Sequence, residues 1–236
     1  MSESLPISET FVSIQGEGKL TGVPSWFCRL SGCNLRCHWC DTPYASWEPE
    51  RTMRSIDELV EEAKASGVAH TVLTGGEPMM FAGLVELSQK LSATGMHITV
   101  ETAGTLTLDG LVCHLMSLSP KLANSTPIDD PRDPSGAWAK RHEERRLNFG
   151  AINELIASTR DRQLKFVVSS RGDLPEIEEV LSQIYGYRAS DVMLMPEGVT
   201  VPDPDAVAWV VGECVSRGWS YCPRVHVQLF GDTRGT

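Results

Sequence analysis

The sequence predicts an α/β fold, an open and mostly parallel sheet of about six strands backed by helices. Three observations predict it. Short apolar runs alternate with amphipathic stretches after residue 50. Helix start and stop signals stand between those runs. The runs number fewer than the eight strands of a closed (β/α)8 barrel. With 236 residues, 41% of them hydrophobic, one sizeable core and one domain over 1–236 are expected.

The first strand is "SWFCRLS", residues 25–31. "SIDELVEEAKASG" reads as a helix: Ser55 caps it, Glu58 completes a capping box, Ile56, Leu59, Val60 and Ala63 share a face, and Gly67 ends it. "HTVLTGG" gives a strand over 70–74, "MFAGLVELSQKLSATG" the next helix and "MHITVE" the next strand. "CHLMSLSP" (113–120) and "LKFVVSS" (164–170) are further strands. Asp173 and Glu176 open a helix carrying Ile177, Val180, Leu181 and Ile184, and "DVMLMP" is the last strand. Asp203 and Pro204 start a helix bearing Val207, Val210, Val211, Cys214 and Val215, which Gly218 closes. Residues 124–148, rich in proline and mixed charge, read as a long loop with one helical turn near Trp138–Arg146. Loops this long are usually functional or disordered.

Composition narrows the function. A net charge of −10 gives little reason to hold nucleic acid by its phosphates. No apolar run approaches the ~18 residues of a membrane span. The polar start "MSESLPISETF" argues against a signal peptide. Seven cysteines, an odd number with three of them clustered, suit a cytoplasmic protein whose thiols stay reduced for a metal or cluster.

That cluster is "RLSGCNLRCHWCDTPYASW", with Cys33, Cys37 and Cys40 at C-x3-C-x2-C. A tetrahedral zinc site needs a fourth ligand. His38 lies on the same tight loop, and His70, His97, His114 and His226 lie elsewhere in the chain. A cubane iron–sulfur cluster has four iron corners, usually all held by thiolates, so three thiolates leave one iron open for an outside ligand. The spacing resembles the signature of radical S-adenosylmethionine enzymes, in which the methionine part of the cofactor fills that position. "VLTGGEP" (72–78) then resembles the glycine-rich turn of that superfamily, with Pro78 holding Glu77 extended and Gly75-Gly76 allowing close backbone approach.

The flanks are more specific. "SIQGEG", "FCRLSGCNLRCHWCDT", "TGGEP", "ETAGT", "SPK", "MPEG" and "RVHVQLFGDTRGT" follow in this order. Together they resemble the 7-carboxy-7-deazaguanine synthase family from about residue 7 to the end. The resemblance implies a shortened, open (β/α) barrel and a radical lyase of queuosine-type deazapurine biosynthesis. Its substrate would be 6-carboxy-5,6,7,8-tetrahydropterin, its cofactors a 4Fe-4S cluster, S-adenosyl-L-methionine and Mg2+. Its partners would be an electron donor such as flavodoxin and a second copy of itself.

By that resemblance Cys33, Cys37 and Cys40 hold the cluster and Thr42 holds Mg2+. Ile14, Gln15, Gly16, Arg29 and Thr74 would bind substrate, and Trp39, Cys40, Asp41, Gly76, Ser119, Pro120 and Lys121 the cofactor. Residue chemistry supports part of this. Arg29 suits bidentate clamping of a carboxylate, and the Thr42 hydroxyl is a hard ligand for Mg2+. In isolation Arg29 would read as a surface arginine and Thr42 as a turn cap before Pro43. Glu101 is a further candidate for the cofactor, while Cys28, Cys113, Cys214 and Cys222 read as small apolar fillers. Two rivals remain at this level, a glycyl-radical enzyme activase and a non-enzymatic zinc module.

Overall fold

A computed structural model describes residues 3–236. One nine-stranded sheet runs in the order β3-β1-β2-β4-β5-β6-β7-β8-β9. β2 (Pro24–Leu30), β4 (His70–Gly75), β5 (His97–Thr102), β6 (Leu115–Leu118), β7 (Asp161–Val168) and β8 (Val192–Pro196) are parallel neighbours, the six expected. A two-residue β9 (Ser220–Tyr221) extends them. β1 (Ser4–Ile14) and β3 (Thr52–Ser55) add an antiparallel edge that the sequence reading lacks. β1 escapes notice because Ser8, Glu9, Thr10 and Ser13 interrupt its apolar residues.

The helices follow local signals closely. In α1 (Ile56–Ala65) the Ser55 hydroxyl accepts from the Glu58 amide and the Glu58 carboxylate from the Ser55 amide. α2 (Gly83–Ala93) begins later than expected, because Pro78–Met80 first makes a tight 3-10 turn. The region 124–148 holds a full helix, α3 (Ala137–Arg145), rather than one turn. The Asp133 carboxylate starts it by accepting from the amides of Trp138 and Ala139. α4 (Phe149–Ser158) was not anticipated and is capped by Asn148. α5 (Leu174–Ser182) stops before Ile184, and α6 (Pro204–Arg217) ends on left-handed Gly218. A short α7 (Val225–Phe230) precedes the C-terminus.

Strand alternation sorts the side chains onto two faces. Trp26, Cys28, Leu30, Leu73, Ile98, Val100, Met116, Leu118, Leu164, Phe166, Val192 and Leu194 join the core beneath the helices. The intervening Phe27, Arg29, Thr74, Glu101, Ser117, Lys165, Val167 and Met195 line a cavity of about 580 Å3 on the other face. A parallel sheet covered by helices on one side thus carries an unusually polar concave side.

At the far end of that concave face His70 is buried, its Nδ1 2.6 Å from Ser25 Oγ and its Nε2 2.8 Å from Thr99 Oγ1. The Ser25 hydroxyl donates to the Val23 carbonyl, so Nδ1–H donates and Nε2 accepts from Thr99. The ring is therefore neutral, and burial with neighbouring His97 lowers its pKa to about 4. An unfolded histidine titrates near ~6.5, so the unfolded chain binds the extra proton first as pH falls. Stability is full above about pH 6.5 and declines toward pH 4. Going from pH 7.5 to 5.5 should cost about 1 kcal/mol through this residue. Chemical unfolding of wild type and His70→Gln at both pH values checks this, and equal pH slopes would refute it.

Candidate active site

The cavity opens at the C-terminal ends of the parallel strands, and Cys33, Cys37 and Cys40 all face into it. Their loop is held from outside. His142 of α3 is fully buried, accepts the Arg36 amide at Nδ1 (3.1 Å) and contacts Ser125 Oγ at Nε2 (2.8 Å). The Trp47 indole donates to the Cys37 carbonyl, and the Arg36 guanidinium stacks 4.0 Å from the Trp138 ring. The long 124–148 segment is thus the outer wall of the cysteine loop.

Burial pushes the Cys33 thiol up to about 12, and raises Cys37 as well. Cys37 also feels the charges of Cys33 and Cys40, and Cys33 that of Cys40, which places the three near one another. Cys33 Sγ accepts from the Leu35 amide, and Ser46 Oγ sits 3.1 Å from Cys40 Sγ. No three His, Cys, Asp or Glu groups among the described residues are disposed to hold a single ion. His38 turns outward to Asp130 (3.0 Å), and His70, His97 and His114 stack together along adjoining strands. Three thiols that share one cavity, two of them hydrogen-bonded at sulfur, without a close-packed fourth ligand among the described residues, fit a multi-iron cluster better than one zinc.

The glycine turn also serves packing within the protein, and Gly75 takes a positive φ of 147°. A Cβ on Gly75 would lie 2.2 Å from the Leu30 carbonyl oxygen, and one on Gly76 2.2 Å from that of Gly32. The glycines let the turn press against the cysteine loop's own backbone, which brings Gly76 beside the thiols. Glu77, absent from the sequence assignments, is wholly buried and pins this turn to β5. Its carboxylate accepts from the Met79 amide, the Thr102 hydroxyl and the Ala103 amide.

Two carboxylates organise the substrate end. Glu101 accepts from Gln15 Nε2 (3.2 Å) and Thr74 Oγ1 (2.9 Å) and lies 3.7 Å from Lys165 Nζ. Glu17 pairs with Lys165 at 2.7 Å and with Arg224 at 3.5 Å. Burial pushes the Glu17 pKa up, but Lys165 and Arg224 outweigh it and bring it to about 2. The 15–23 connection reaches across the barrel. The Gly18 amide meets Cys222 Sγ, the Lys19 amide donates to Gln163, and a Cβ on Gly18 would strike Gln163 at 2.2 Å.

Of the anticipated residues, Ile14, Gln15, Gly16, Arg29, Thr74, Trp39, Cys40, Asp41, Thr42, Gly76, Ser119 and Lys121 line this one cavity. Pro120 does not; it is buried one position out of phase with Ser119 and Lys121. Thr42 precedes the turn Pro43–Ala45, yet its side chain makes no capping bond, which removes the turn-cap reading. Trp39 donates to the Asn124 carbonyl, and Lys121 Nζ bonds Ser119 Oγ (2.7 Å) above the Trp39 ring. Cys222 is more than filler, since it accepts the Gly18 amide. Sequence reasoning missed Glu17, Lys165, Arg224, His226 and residues 231–236, which complete the lining. Alternation of polar and apolar residues in "QLKF" (163–166) was a signal for Lys165.

Comparison with known proteins shows the family and the fold. The model of the radical SAM superfamily matches residues 29–143. The chain is 51% identical to a 7-carboxy-7-deazaguanine synthase of Rhodopirellula baltica over 99% of this chain and 89% of that one. A protein of the same name from Halobacterium salinarum is 46% identical over 99% and 93%. Among solved structures, QueE from Escherichia coli superposes with a TM-score of 0.70, covering 94% of this chain and 95% of that one at 24% identity. Streptococcus suis SuiB bound to S-adenosylmethionine shares the fold at a TM-score of 0.52 and 12% identity, over 80% and 47%.

Proposed function

The chain belongs to the 7-carboxy-7-deazaguanine synthase family of radical S-adenosylmethionine enzymes, and from that premise we propose how its residues serve the reaction. The substrate is 6-carboxy-5,6,7,8-tetrahydropterin, contracted to 7-carboxy-7-deazaguanine with loss of ammonia. Full-length identity to synthases sets aside the glycyl-radical activase and zinc-module readings. A 4Fe-4S cluster and S-adenosylmethionine supply one-electron reduction and radical hydrogen abstraction when bound.

Cys33, Cys37 and Cys40 hold the cluster. Gly76, Trp39, Asp41, Ser119 and Lys121 hold the cofactor, with Pro120 shaping the wall from behind. The observation that carries the substrate reading is Arg29. Its Nε is bound to Glu9 (2.7 Å), and no hydrogen bond to either Nη is found among the described residues, so its forked end is available in the cavity that the thiols also line. Ile14, Gly16, Gln15 and Thr74 frame the pterin, the last two fixed by Glu101. Cytoplasmic reducing conditions, an electron donor such as flavodoxin, and a homodimer complete the reading. An anaerobic assay with the carboxypterin tests it; no deazapurine from a cluster-loaded protein would overturn it.

Two variants separate the roles. Truncating one partner of a buried charge pair costs about 2–5 kcal/mol. Arg29→Ala should weaken carboxypterin binding by at least ~30-fold, since ~1.4 kcal/mol is tenfold, with the cluster retained. Unchanged affinity in anaerobic titration would move the clamp elsewhere. Thr42→Val keeps shape and removes the hydroxyl offered to Mg2+. It should abolish the stimulation of turnover by Mg2+ while the cluster and cofactor bind normally. Identical Mg2+ response curves for the two proteins would leave Thr42 without a metal role.

A further inference from the structure

We propose that Glu9 is a positioning residue that holds Arg29 by Nε, so that both Nη groups face an incoming carboxylate, and that ties the C-terminal strap across the same site. The inference rests on the reading of Arg29 as the carboxylate clamp. Glu9 sits on β1, where no motif pointed. One of its oxygens accepts from Arg29 Nε (2.7 Å) and from the Tyr44 hydroxyl (2.9 Å). The other accepts from Arg234 Nε (3.2 Å). Three segments distant in sequence therefore meet on one carboxylate: the strand before the cysteines, the loop after them, and the chain end.

The backbone is built to place it there. Ile7 pairs with Leu30 but Glu9 pairs with Arg29, so two steps along β1 match one along β2. This is a β-bulge, and bulges re-aim side chains beside active sites. In regular register Ser8 would oppose Arg29, and Glu9 would oppose Cys28, which joins the core. The bulge turns Glu9 onto the cavity face and leaves Ser8 Oγ buried with no hydrogen-bond partner. A distortion that strands a polar atom and delivers a carboxylate to Arg29 is expected where position matters more than stability.

The strap is held by the same contacts. Residues 231–236 line the cavity. Arg234 bonds Glu9 and Glu50 (2.9 Å), and its guanidinium lies 4.0 Å from the Tyr44 ring. Glu9 thus carries two cations. A substrate carboxylate that shares Arg29 leaves Glu9 with less of that cation's charge and so strengthens its hold on Arg234, which tightens a strap already seated there.

The test compares wild type, Arg29→Ala, Glu9→Gln and Glu9→Ala, each loaded anaerobically with cluster and cofactor. Each is titrated with the carboxypterin and with the same tetrahydropterin lacking the carboxylate. Glu9→Thr, short and strand-forming, substitutes should Glu9→Ala not fold. Wild type should prefer the carboxylated ligand. Glu9→Ala should lose about tenfold of that preference, and Glu9→Gln, which keeps an acceptor for Nε, at most about threefold. Trypsin cleavage after Arg234, followed by mass spectrometry, should be slowed by the carboxypterin in wild type and not in Glu9→Ala. If Arg29→Ala loses the preference while Glu9→Ala keeps both preference and protection, the positioning role is wrong and the clamp stands. If Arg29→Ala keeps the preference, the clamp itself fails, and the role of Glu9 with it.

Discussion

Alanine at Cys33, Cys37 or Cys40 should remove the iron–sulfur absorbance and all turnover together, while Cys28→Ala keeps both. The contrast follows from two faces of the fold. The first three thiols face the cavity, whereas Cys28 is fully buried on the core face of β2 beside Trp26 and Leu30. Burial raises Cys28 and Cys33 alike to about 12, so it is the face each thiol points to, and not its pKa, that separates packing residue from ligand. Removing the Cys28 thiol should cost about 1 kcal/mol of stability and nothing in cluster content. Absorbance and iron and sulfide content after anaerobic reconstitution measure the difference. A stable four-iron cluster in Cys37→Ala would contradict the ligand set.

The second large effect concerns Lys165. Its side chain is 5% exposed and lies between Glu17 and Glu101. Burial lowers its pKa, but the two carboxylates more than reverse this and hold it charged. Lys165→Met leaves Glu101 without its cation and Glu17 with Arg224 alone, and breaking a buried pair costs about 3–5 kcal/mol. Turnover should fall by at least ~100-fold, because Glu101 also fixes Gln15 and Thr74. Adding Glu17→Gln should restore part of the stability, giving a coupling of ~1–3 kcal/mol in a double-mutant cycle. Urea unfolding of the four proteins measures it, and strictly additive losses would mean that Lys165 and Glu17 do not act as a pair. In wild type Glu17, at about 2, contributes fully above pH ~4.5 and loses its contribution as pH falls from there toward 2.

Much of the fold was legible because it is locally encoded. Ser55 and Glu58, Asp203 with Pro204, and Gly218 mark helix ends through bonds that span only a few residues. The cysteine loop was legible for the same reason: its three thiols lie within eight residues. Pro120 was misplaced because a motif names a stretch, whereas strand phase decides which of its side chains face the site.

By itself, then, the sequence determined the six parallel strands, the thiol trio and the order of motifs that names the family. Only the tertiary structure decided which remote charges share the cavity. Glu9 reaches Arg29 through a one-residue bulge, Lys165 reaches Glu17 across 148 positions, and Arg234 returns to Glu9 across 225. Such partners carry no local pattern. They meet because remote strands and the 15–23 connection share the concave face of one open sheet, and a buried charge there persists only beside an opposite one.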